Sequence, residues 1–423
     1  MAQKNKNPEV RFKGFTEDWK PTVLGSFVDL ENGFAFKSRF FQDDKSKVLV
    51  LTPGNVNIGG GFQHGKGQYY NPKKELTNRF VFKPDDIFVT MTDLTPTGQT
   101  LGLPAIVPND EMTYLHNQRL GKLINYKCDK TFLFHLLCNP KFQKQIVLTS
   151  SGTTVKHTSP NKILNTKTSF PNPTEQKKIG AFFQNLDSLI TQHQKKHDKL
   201  AILKKAMLDK MFPKNGVVVP EIRFKGFTGD WEEKELGEIG YTYTGLSGKT
   251  KVDFGQGKGK YVTYMGVFNN PISTINMTDL VEIDNTQNEV NYGDIFFTTS
   301  SETADEVGMS SVWLSEDRNV YLNSFCFGYR LYEKLDYYYL SNLLRSPSFR
   351  KKISFLAQGI SRFNISKNKV KEISINIPRP AEQQKIGEYF KNLDKQIALH
   401  QIQLEKLNNI KKACFTKMFV AQD

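Results

Sequence analysis

Two histidines have the spacing of a possible metal site. His193 and His197 lie four residues apart, so on a helix their imidazoles would project from one face and could share a metal ion. Both also fall on a repeating apolar pattern, described below, that is typical of a seam between helices. The favoured interpretation is therefore a polar seam position that helps to set helix register, and no metal site is predicted.

The four cysteines give no sign of a metal or redox centre. Cys128, Cys138, Cys326 and Cys414 have no CxxC spacing and no histidine at zinc-site distances. Free cysteine is among the side chains most often buried, so we expect reduced thiols with a structural role.

Catalytic motifs of DNA-acting enzymes are not found. The D/N-P-P-Y/F motif of adenine methyltransferases does not occur, and "GQGKGK" (255–260) fits neither the dinucleotide-binding nor the phosphate-loop pattern. That stretch is interpreted as a mobile loop whose Lys258 and Lys260 could approach a phosphate. Pro84–Asp85 lacks the acid-x-Lys sequence of a nuclease, and no nucleophile has a base nearby. The sequence predicts that the chain alone is not an enzyme.

The charge balance favours an anionic partner. The 423 residues include 58 Lys and Arg against 43 Asp and Glu, a formal net charge of +15. Nucleic acid or an anionic membrane surface would suit this excess, although a basic protein without such a partner has the same balance. The chain has no long apolar run, and "MAQKNKNPEV" lacks an apolar signal core, so a cytoplasmic location is expected.

The elements that would position these side chains are encoded twice. "PEVRFKGFTEDW" (8–19) and "PEIRFKGFTGDW" (220–231) share ten of twelve residues. Further pairs follow in the same order, 207 or 208 residues apart: "DDIFVT" (85–90) with "GDIFFT" (293–298), "SGTTVKHTSPNKI" (151–163) with "QGISRFNISKNKV" (358–370), and 175–212 with 382–419. Two copies of one unit are therefore predicted, although 20–78 and 232–287 share little.

The repeat predicts an order of domains and helices. It comprises an N-terminal segment (1–19), a first domain (20–174), a first long helix (175–212), a connector with the repeated RFKGF motif (213–231), a second domain (232–381) and a second long helix (382–420). Runs such as "DDIFVTM", "LGKLIN", "YVTYMGVF", "GDIFFTT" and "FCFGYRLY" predict strands. Helices interrupted by Pro140 and Pro347 are predicted at 130–146 and 335–353, so each domain is expected to be mixed α/β (α+β).

Both long helices carry apolar positions at alternating gaps of four and three, as in a coiled coil. The predicted seam residues are Ile179, Phe183, Leu186, Ile190, His193, His197 and Leu200 in the first helix, and Ile386, Phe390, Leu393, Ile397, His400, Leu404 and Leu407 in the second. Thr174 and Ala381 are expected at the cap positions. Each helix would be a rod of roughly 55 Å at 1.5 Å per residue, and its obvious partner is the other copy.

In this arrangement the chain resembles the specificity subunit of type I restriction–modification systems. The resemblance covers essentially the whole length and rests on the duplicated "RFKGF…W", "DIF(V/F)T", "SG.TV…S…I" and "P.P.EQ.KIG.FF.NLD" motifs. It implies two target-recognition domains, separated by two long antiparallel helices forming a coiled coil, that each read one half of an interrupted double-stranded DNA target. An internal pseudo-two-fold repeat would relate them, and half-sites about one turn of DNA, roughly 10 base pairs, apart would suit helices of this length.

The resemblance also implies partners and cofactors. Two methyltransferase (modification) subunits and restriction/translocase subunits would join the chain on DNA, with no membrane involved, and it would direct their adenine methylation and restriction. S-adenosylmethionine, ATP and magnesium would belong to those partners, and this chain would bind no cofactor. Two alternatives stay open: a tandem-repeat nucleic-acid-binding scaffold without methyltransferase partners, and an enzyme whose active-site residues were not grouped.

Polar loop residues are the candidates for DNA contact, because side chains projecting into a groove read base edges. They are Lys37, Ser38, Thr92, Thr95, Thr97, Gln99, Thr154, Lys156 and His157 in the first domain, and Ser247, Lys249, Lys251, Ser300, Ser301, Glu302, Ser361, Arg362 and Asn364 in the second. The loops "TTVKH" and "ISRFN" are favoured because they follow glycines at matching places yet differ in content. Arg362 leads, since arginine to guanine is the commonest specific contact.

A lysine-rich face of the first long helix is a further candidate surface. Its members are Lys195, Lys196, Lys199, Lys204 and Lys205. They could meet acidic groups of a partner or DNA phosphates, but a solvated helix face is the favoured interpretation.

Overall fold

The computed structural model describes residues 7–71, 78–214 and 216–420. They form two compact units. Unit 1 contains the residues up to 193 and those from 403 onward, and unit 2 contains residues 194–402. The division falls inside both long helices, so each unit combines one mixed α/β domain with a part of each long helix.

The helices follow the predicted order along the chain. The α-helices are α1 (Lys130–Cys138), α2 (Pro140–Leu148), α3 (Pro160–Leu164), α4 (Pro173–Lys210), α5 (Leu236–Ile239), α6 (Tyr264–Asn269), α7 (Tyr337–Leu343), α8 (Pro347–Phe355), α9 (Lys367–Lys371) and α10 (Pro380–Lys417). Short 3-10 turns lie at Leu24–Ser26, Ser38–Phe40, Pro53–Asn55, Asn78–Phe80, Lys251–Asp253 and Ile275–Met277.

Unit 1 is built from short strands in two small sheets and two ribbons. The strands are β1 (Lys20–Val23), β2 (Asp29–Asn32), β3 (Phe41–Gln42), β4 (Val48–Val50), β5 (Gln68–Tyr70), β6 (Ile87–Thr90), β7 (Thr92–Asp93), β8 (Pro104–Ile106), β9 (Thr113–Leu115), β10 (Leu120–Ile124), β11 (Lys156–His157) and β12 (Lys167–Phe170). One antiparallel sheet has the order β2-β10-β6-β8, and the other has the order β3-β5-β4-β9, with β4 and β9 parallel. The pairs β1–β12 and β7–β11 are antiparallel ribbons.

Unit 2 repeats this plan with a different second sheet. Its strands are β13 (Glu232–Glu235), β14 (Gly240–Thr244), β15 (Phe254–Val262), β16 (Ile272–Ser273), β17 (Thr278–Val281), β18 (Ile295–Thr298), β19 (Ser300–Ser301), β20 (Ser310–Trp313), β21 (Val320–Leu322), β22 (Cys326–Leu331), β23 (Phe363–Asn364) and β24 (Ser374–Ile377). The first sheet has the order β14-β22-β18-β20-β16, and the second has the order β17-β15-β21. The ribbons β13–β24 and β19–β23 correspond to those of unit 1.

The repeated DIF motif supplies the central strand of each first sheet. All four residues of β6 and of β18 are buried, which explains the continuous apolar run. The acid before each strand pairs with a cation on the neighbouring strand: Lys122 lies 2.5 Å from Asp86, and Arg330 lies 2.7 Å from Asp294. The motif therefore encodes a buried strand together with the charged group that fixes its start.

Most sequence-predicted elements are confirmed, and two are corrected. Helices interrupted at Pro140 and Pro347 are present, because each proline begins a new helix. The stretch 255–260, predicted to be a mobile loop, lies in β15, where a register shift between Phe254 and Gly259 accommodates the extra residues. The run predicted as one strand at 261–268 changes to helix α6, since Thr263 caps the helix by accepting a hydrogen bond from the Gly266 N–H.

The start of the first long helix also differs from the prediction. Helix α4 begins at Pro173, two residues before the predicted start at 175. Asn172, not Thr174, caps it, because the Asn172 side chain accepts from the Glu175 N–H at 3.0 Å. Proline at the first helical position has no N–H to leave unsatisfied, which favours this earlier start. Helix α10 begins equivalently at Pro380, ahead of the expected cap residue Ala381.

The duplicated RFKGF and EQ motifs meet in a buried ion pair. In unit 1 the Arg11 guanidinium donates to both carboxylate oxygens of Glu175, at 2.9 and 2.7 Å, and Glu175 is 1% exposed. In unit 2 Arg223 makes the same two bonds to Glu382, at 2.8 and 2.7 Å. A bidentate charge-assisted pair fixes both distance and orientation, so it joins the entry segment to the start of the long helix.

The glutamine and glycine of the EQ..IG motif join each long helix to its domain. Gln176 donates to the Pro171 carbonyl at 2.9 Å and accepts from the Asp129 N–H at 3.0 Å, and Gln383 repeats these contacts in unit 2. A methyl group added at Gly180 would lie 2.7 Å from the backbone nitrogen of Phe132, so only glycine permits this approach.

Within each unit the two long helices run antiparallel. In unit 1 the ring centroids of Phe183 and Phe415 are 4.5 Å apart, and Lys411 lies 2.5 Å from Asp187. In unit 2 the equivalent pair, Lys204 and Asp394, is also 2.5 Å apart. Of the predicted seam residues, Ile179, Phe183, Leu186, Ile386, Phe390, Leu393 and Leu404 are buried, and Ile190, His193, His197, Leu200, Ile397, His400 and Leu407 are half-buried.

The cysteines of the chain form no disulfide. All four cysteines are free thiols, and burial raises the pKa of Cys128 and Cys326 to about 12. In the described part of the chain, none of the helices combines the length and the apolar character needed to cross a bilayer.

Candidate nucleic-acid interface

A small ribbon carries the favoured candidate residues in each unit. In unit 1 β7 pairs with β11, and the Thr92 hydroxyl lies 3.2 Å from the His157 Nδ1. In unit 2 β19 pairs with β23, so that Ser300 lies opposite Asn364. Folding thus brings together two sequence segments that are about 65 residues apart, and it does so at equivalent places.

The loop that ends each ribbon has a required glycine. Gly152 has φ +94° and Gly359 has φ +142°, a region that side chains other than glycine rarely adopt. A Cβ at either position would collide with a carbonyl oxygen, that of Val155 or of Arg362. The loops are therefore tight turns that present the residues after the glycine, Thr154 in unit 1 and Ser361 with Arg362 in unit 2, and all three are exposed.

A buried aspartate organises the remaining candidates of unit 1. Asp93 accepts from the backbone N–H and hydroxyl of Thr95, at 2.7 and 2.6 Å, and from those of Thr100, at 2.5 and 2.7 Å. Burial by itself raises the pKa of Asp93, but these hydrogen bonds together lower it by more, so the pKa lies below its ordinary value. Thr97 and Gln99 are exposed on the loop that Asp93 holds, whereas Thr92 is buried within the ribbon.

Sequence reasoning missed Asp93, although a signal was present. An aspartate followed two residues later by threonine is the pattern of a turn in which the side chain accepts from its own backbone. The second set of hydrogen bonds comes from Thr100, which is seven residues from Asp93 in sequence. These bonds depend on the path of the loop and have no local sequence pattern.

Unit 2 has a cleft of about 480 Å³ beside its ribbon. The residues that line it are Tyr264, Met265, Phe268, Ser300, Ser301, Glu302, Glu306, Ser361 and Arg362. The cleft brings together five candidates from two separate sequence segments. It also contains three residues of α6 that were not candidates, because their segment was predicted to be a strand. The stacked rings of Tyr264 and Phe268, 5.8 Å apart, give the cleft one apolar wall.

Other candidates lie outside this cleft. Lys249 pairs with Asp284 at 2.7 Å, which raises the pKa of its ammonium group, and the Ser247 N–H donates to Gln287 at 3.0 Å. Lys251 is exposed at the start of a 3-10 turn, and Lys37 and Ser38 are exposed at another. Lys156 is half-buried in β11. Because its charge is already matched by Asp284, Lys249 is a weaker candidate for phosphate contact than its sequence position indicates.

The long-helix candidates are also placed. Lys195, Lys196, Lys199 and Lys205 are exposed, but Lys204 is half-buried and bound to Asp394, which corrects its assignment to an exposed lysine face. His197 lies 3.1 Å from Asp198 of its own helix. Within the residues that the structure describes, no group of three or more His, Cys, Asp or Glu side chains is arranged to hold a metal ion.

Comparison with known proteins gives several matches. A curated relative, the type I restriction enzyme MjaVIII specificity subunit of Methanocaldococcus jannaschii, is 27% identical over 197 residues, which are 46% of this chain and 45% of the relative. The EcoBI specificity subunit of Escherichia coli is 28% identical over 178 residues, 42% of this chain and 33% of that protein. The chain thus spans less than half the length of the curated relatives it matches.

The fold and the family are matched along most of the chain. The crystal structure of a type I restriction-modification S subunit from M. genitalium superposes with a TM-score of 0.58 and 16% identity, covering 99% of this chain and 100% of that one, a likeness that concerns the fold. The family model described as the type I restriction modification DNA specificity domain matches residues 16–201 and again residues 228–409. Because that model accounts for most of the sequence, the chain belongs to the type I restriction modification DNA specificity domain family.

Proposed function

We propose that this chain is the DNA-specificity subunit of a type I restriction–modification complex. Each unit reads one half of an interrupted double-stranded DNA target through the ribbon that ends at Gly152 or Gly359. The observation that carries the proposal is a repeated set of structural contacts, called the frame below, that presents different exposed side chains in the two units. The Arg–Glu ion pair and the glycine turn recur in both units, whereas the residues presented by the turn differ, Val155 in unit 1 against Arg362 in unit 2. A duplicated protein that reads two different half-sites needs this combination.

The charge of the chain and the partners of its carboxylates support DNA as the ligand. The net charge of +15 favours a polyanion, and side chains on exposed turns can reach base edges while lysines bind phosphates. Asp93, Glu175 and Glu382 are buried carboxylates, and each is occupied by structural hydrogen bonds. They therefore serve as positioning groups in this proposal, and the chain directs chemistry without performing it.

The chemistry belongs to partners in the proposed complex. Two methyltransferase subunits modify adenine at the site that this chain selects, and restriction/translocase subunits act on unmodified DNA in the cytoplasm. S-adenosylmethionine, ATP and magnesium are bound by those subunits. The chain repeats one structural plan in both units, and this supports two copies of the same partner, because equivalent units can bind equivalent partners.

Sequencing of adenine methylation across the genome tests the proposal. In cells that carry the whole system, one interrupted motif should be methylated when the chain is present and unmethylated when its gene is deleted. Complementation with the gene should restore the motif. If methylation is unchanged by deletion, or if two unrelated continuous motifs disappear, the proposal is wrong. Purification of the chain from such cells without any methyltransferase subunit would instead favour a nucleic-acid-binding scaffold.

A further inference from the structure

Two charged side chains in the unit 2 cleft have no protein partner. Glu302 and Arg362 both line the cleft and are exposed, and in the described part of the chain neither side chain makes a hydrogen bond or an ion pair. Glu306, in the same cleft, is already occupied, because it accepts from Thr303 at 2.9 Å and from Ser301 at 3.3 Å. Glu302 and Arg362 are thus available to a ligand, whereas Glu306 maintains the loop.

The equivalent positions of unit 1 are apolar. The register between the two copies places Leu94 at the position of Glu302 and Val155 at the position of Arg362. Leu94 is 68% exposed, so it also projects from the protein surface. At equivalent positions of their ribbons, the two units therefore carry different side chains. Unit 2 has a carboxylate and a guanidinium, whereas unit 1 has two aliphatic side chains.

The presence of both a carboxylate and a guanidinium in one cleft favours a base edge over a phosphate as the ligand. An arginine alone could bind either, but a carboxylate in the same cleft would repel a phosphate. In the major groove guanine offers two acceptors, N7 and O6, which match the fork of a guanidinium, and cytosine offers an amino donor, which matches a carboxylate. One arginine and one glutamate together therefore match the two bases of a single G·C pair, or of adjacent ones.

We propose that the half-site read by unit 2 contains a G·C pair, with Arg362 contacting guanine and Glu302 accepting from the cytosine amino group. This inference rests on the proposed function and names the bases that one unit recognises. At the equivalent position of unit 1, Leu94 supplies an apolar surface, which suits the methyl group of thymine. The requirement for G·C at this contact therefore belongs to unit 2.

The test compares methylation motifs in cells that carry wild-type chain, Arg362→Ala, Glu302→Gln or the double change Glu302→Leu with Arg362→Val. The double variant copies the side chains of unit 1 into unit 2. Arg362→Ala should relax one G·C position in one half-site, with discrimination against other bases falling about 5-fold to 150-fold, since a bidentate contact contributes about 1–3 kcal/mol. Glu302→Gln should relax the same or the adjacent position less, and the double variant should lose the G·C requirement.

Arg318→Ala provides the matched control, because Arg318 is an exposed arginine of unit 2 outside the cleft, and it should leave the motif unchanged. If Arg362→Ala fails to accumulate, Arg362→Lys decides, since lysine keeps the charge but cannot form the two-pronged contact. The inference is overturned if the relaxed position is A·T, if all sites lose methylation equally, or if the motif of every variant is unchanged. In those cases the wild-type chain still directs methylation of an interrupted motif that is lost when its gene is deleted. If the proposed function itself is wrong, deletion of the gene removes no such motif.

Discussion

Units 1 and 2 differ where they face solvent and agree where they hold the chain together. The same ion pair occurs in both units, as Arg11 with Glu175 and as Arg223 with Glu382. The two copies are 207 or more residues apart in sequence and have nearly identical geometry. The ribbon turns have the same backbone but present different side chains, and their anchors differ as well, Asp93 in unit 1 against Glu306 in unit 2. Duplication has preserved these buried ion pairs and varied the side chains that the exposed turns present.

The comparison has a physical reason. A buried charge that loses its partner is strongly destabilising, so both members of a buried pair must be retained together. An exposed loop residue can change at little cost in stability, because solvent replaces its contacts. The exposed residues that determine specificity can therefore change, while the buried ion pairs that support them are retained.

The largest expected effect comes from breaking the frame. Arg223→Ala leaves the buried Glu382 carboxylate unpaired and should lower the free energy of unfolding of unit 2 by about 3–5 kcal/mol, measured by urea denaturation. Arg11→Ala should have an equal effect on unit 1 if the two frames are equivalent. The double change Arg223→Met with Glu382→Leu should recover much of the loss, because no buried charge remains. A loss below about 1 kcal/mol for either single variant would contradict the comparison.

The anchors of the two ribbons should differ in strength. Asp93→Ala removes the acceptor of four hydrogen bonds in the interior of unit 1, so we expect a loss of about 2–3 kcal/mol and faster hydrogen exchange across residues 93–100. Glu306→Ala removes an exposed acceptor in unit 2 and should cost about 1 kcal/mol or less. Equal losses in the two variants would show that the anchors are interchangeable.

Sensitivity to acid should separate the units further. Burial lowers the pKa of His116 to about 4 and that of His135, which faces Lys411 and Asp187, to about 3. The unfolded chain, with histidine pKa near 6.5, binds protons first as pH falls, so unit 1 should lose stability between about pH 6.5 and pH 4. The loss should be about 2 kcal/mol for each histidine at pH 5.

Unit 2 has residues that do not titrate at both equivalent positions, Leu322 and Asn342, and both are buried. Hydrogen exchange measured at pH 7 and pH 5 should therefore show destabilisation of unit 1 peptides with little change in unit 2. A variant that copies the unit 2 residues, His116→Leu with His135→Asn, should remove the difference. A parallel response of both units in this variant and in the wild type would refute the assignment to histidine.

The smallest effect should come from the ion pairs between the long helices. Lys204→Ala removes a partly exposed pair with Asp394 and should cost only about 0.5–1 kcal/mol in thermal or urea unfolding. Lys411→Ala, which removes the equivalent pair with Asp187, should match it within error. A much larger loss for one of the two would show that the helix contacts of the units are not equivalent.

Local patterns in the sequence identified the frame because its signals are short and repeated. The buried strands, the helices interrupted at Pro140 and Pro347 and the long helices follow from apolar periodicity and proline chemistry, which act over a few residues. Duplication strengthened each signal, since the same pattern occurred twice in the same order. Helix α6 was missed because its aromatic residues favour strands, and the Thr263 cap, a local effect, reversed that preference.

The amino-acid sequence by itself determined the two-copy plan, the helix seams and the family resemblance, all of which depend on which residues stand at which spacing. Tertiary structure alone decided that Arg11 meets Glu175, 164 residues away, and that Asp93 rather than an exposed threonine holds the unit 1 loop. It also placed Glu302 and Arg362 in one cleft, from segments about 60 residues apart. Contacts of this range depend on how whole elements pack, and no local pattern encodes that packing.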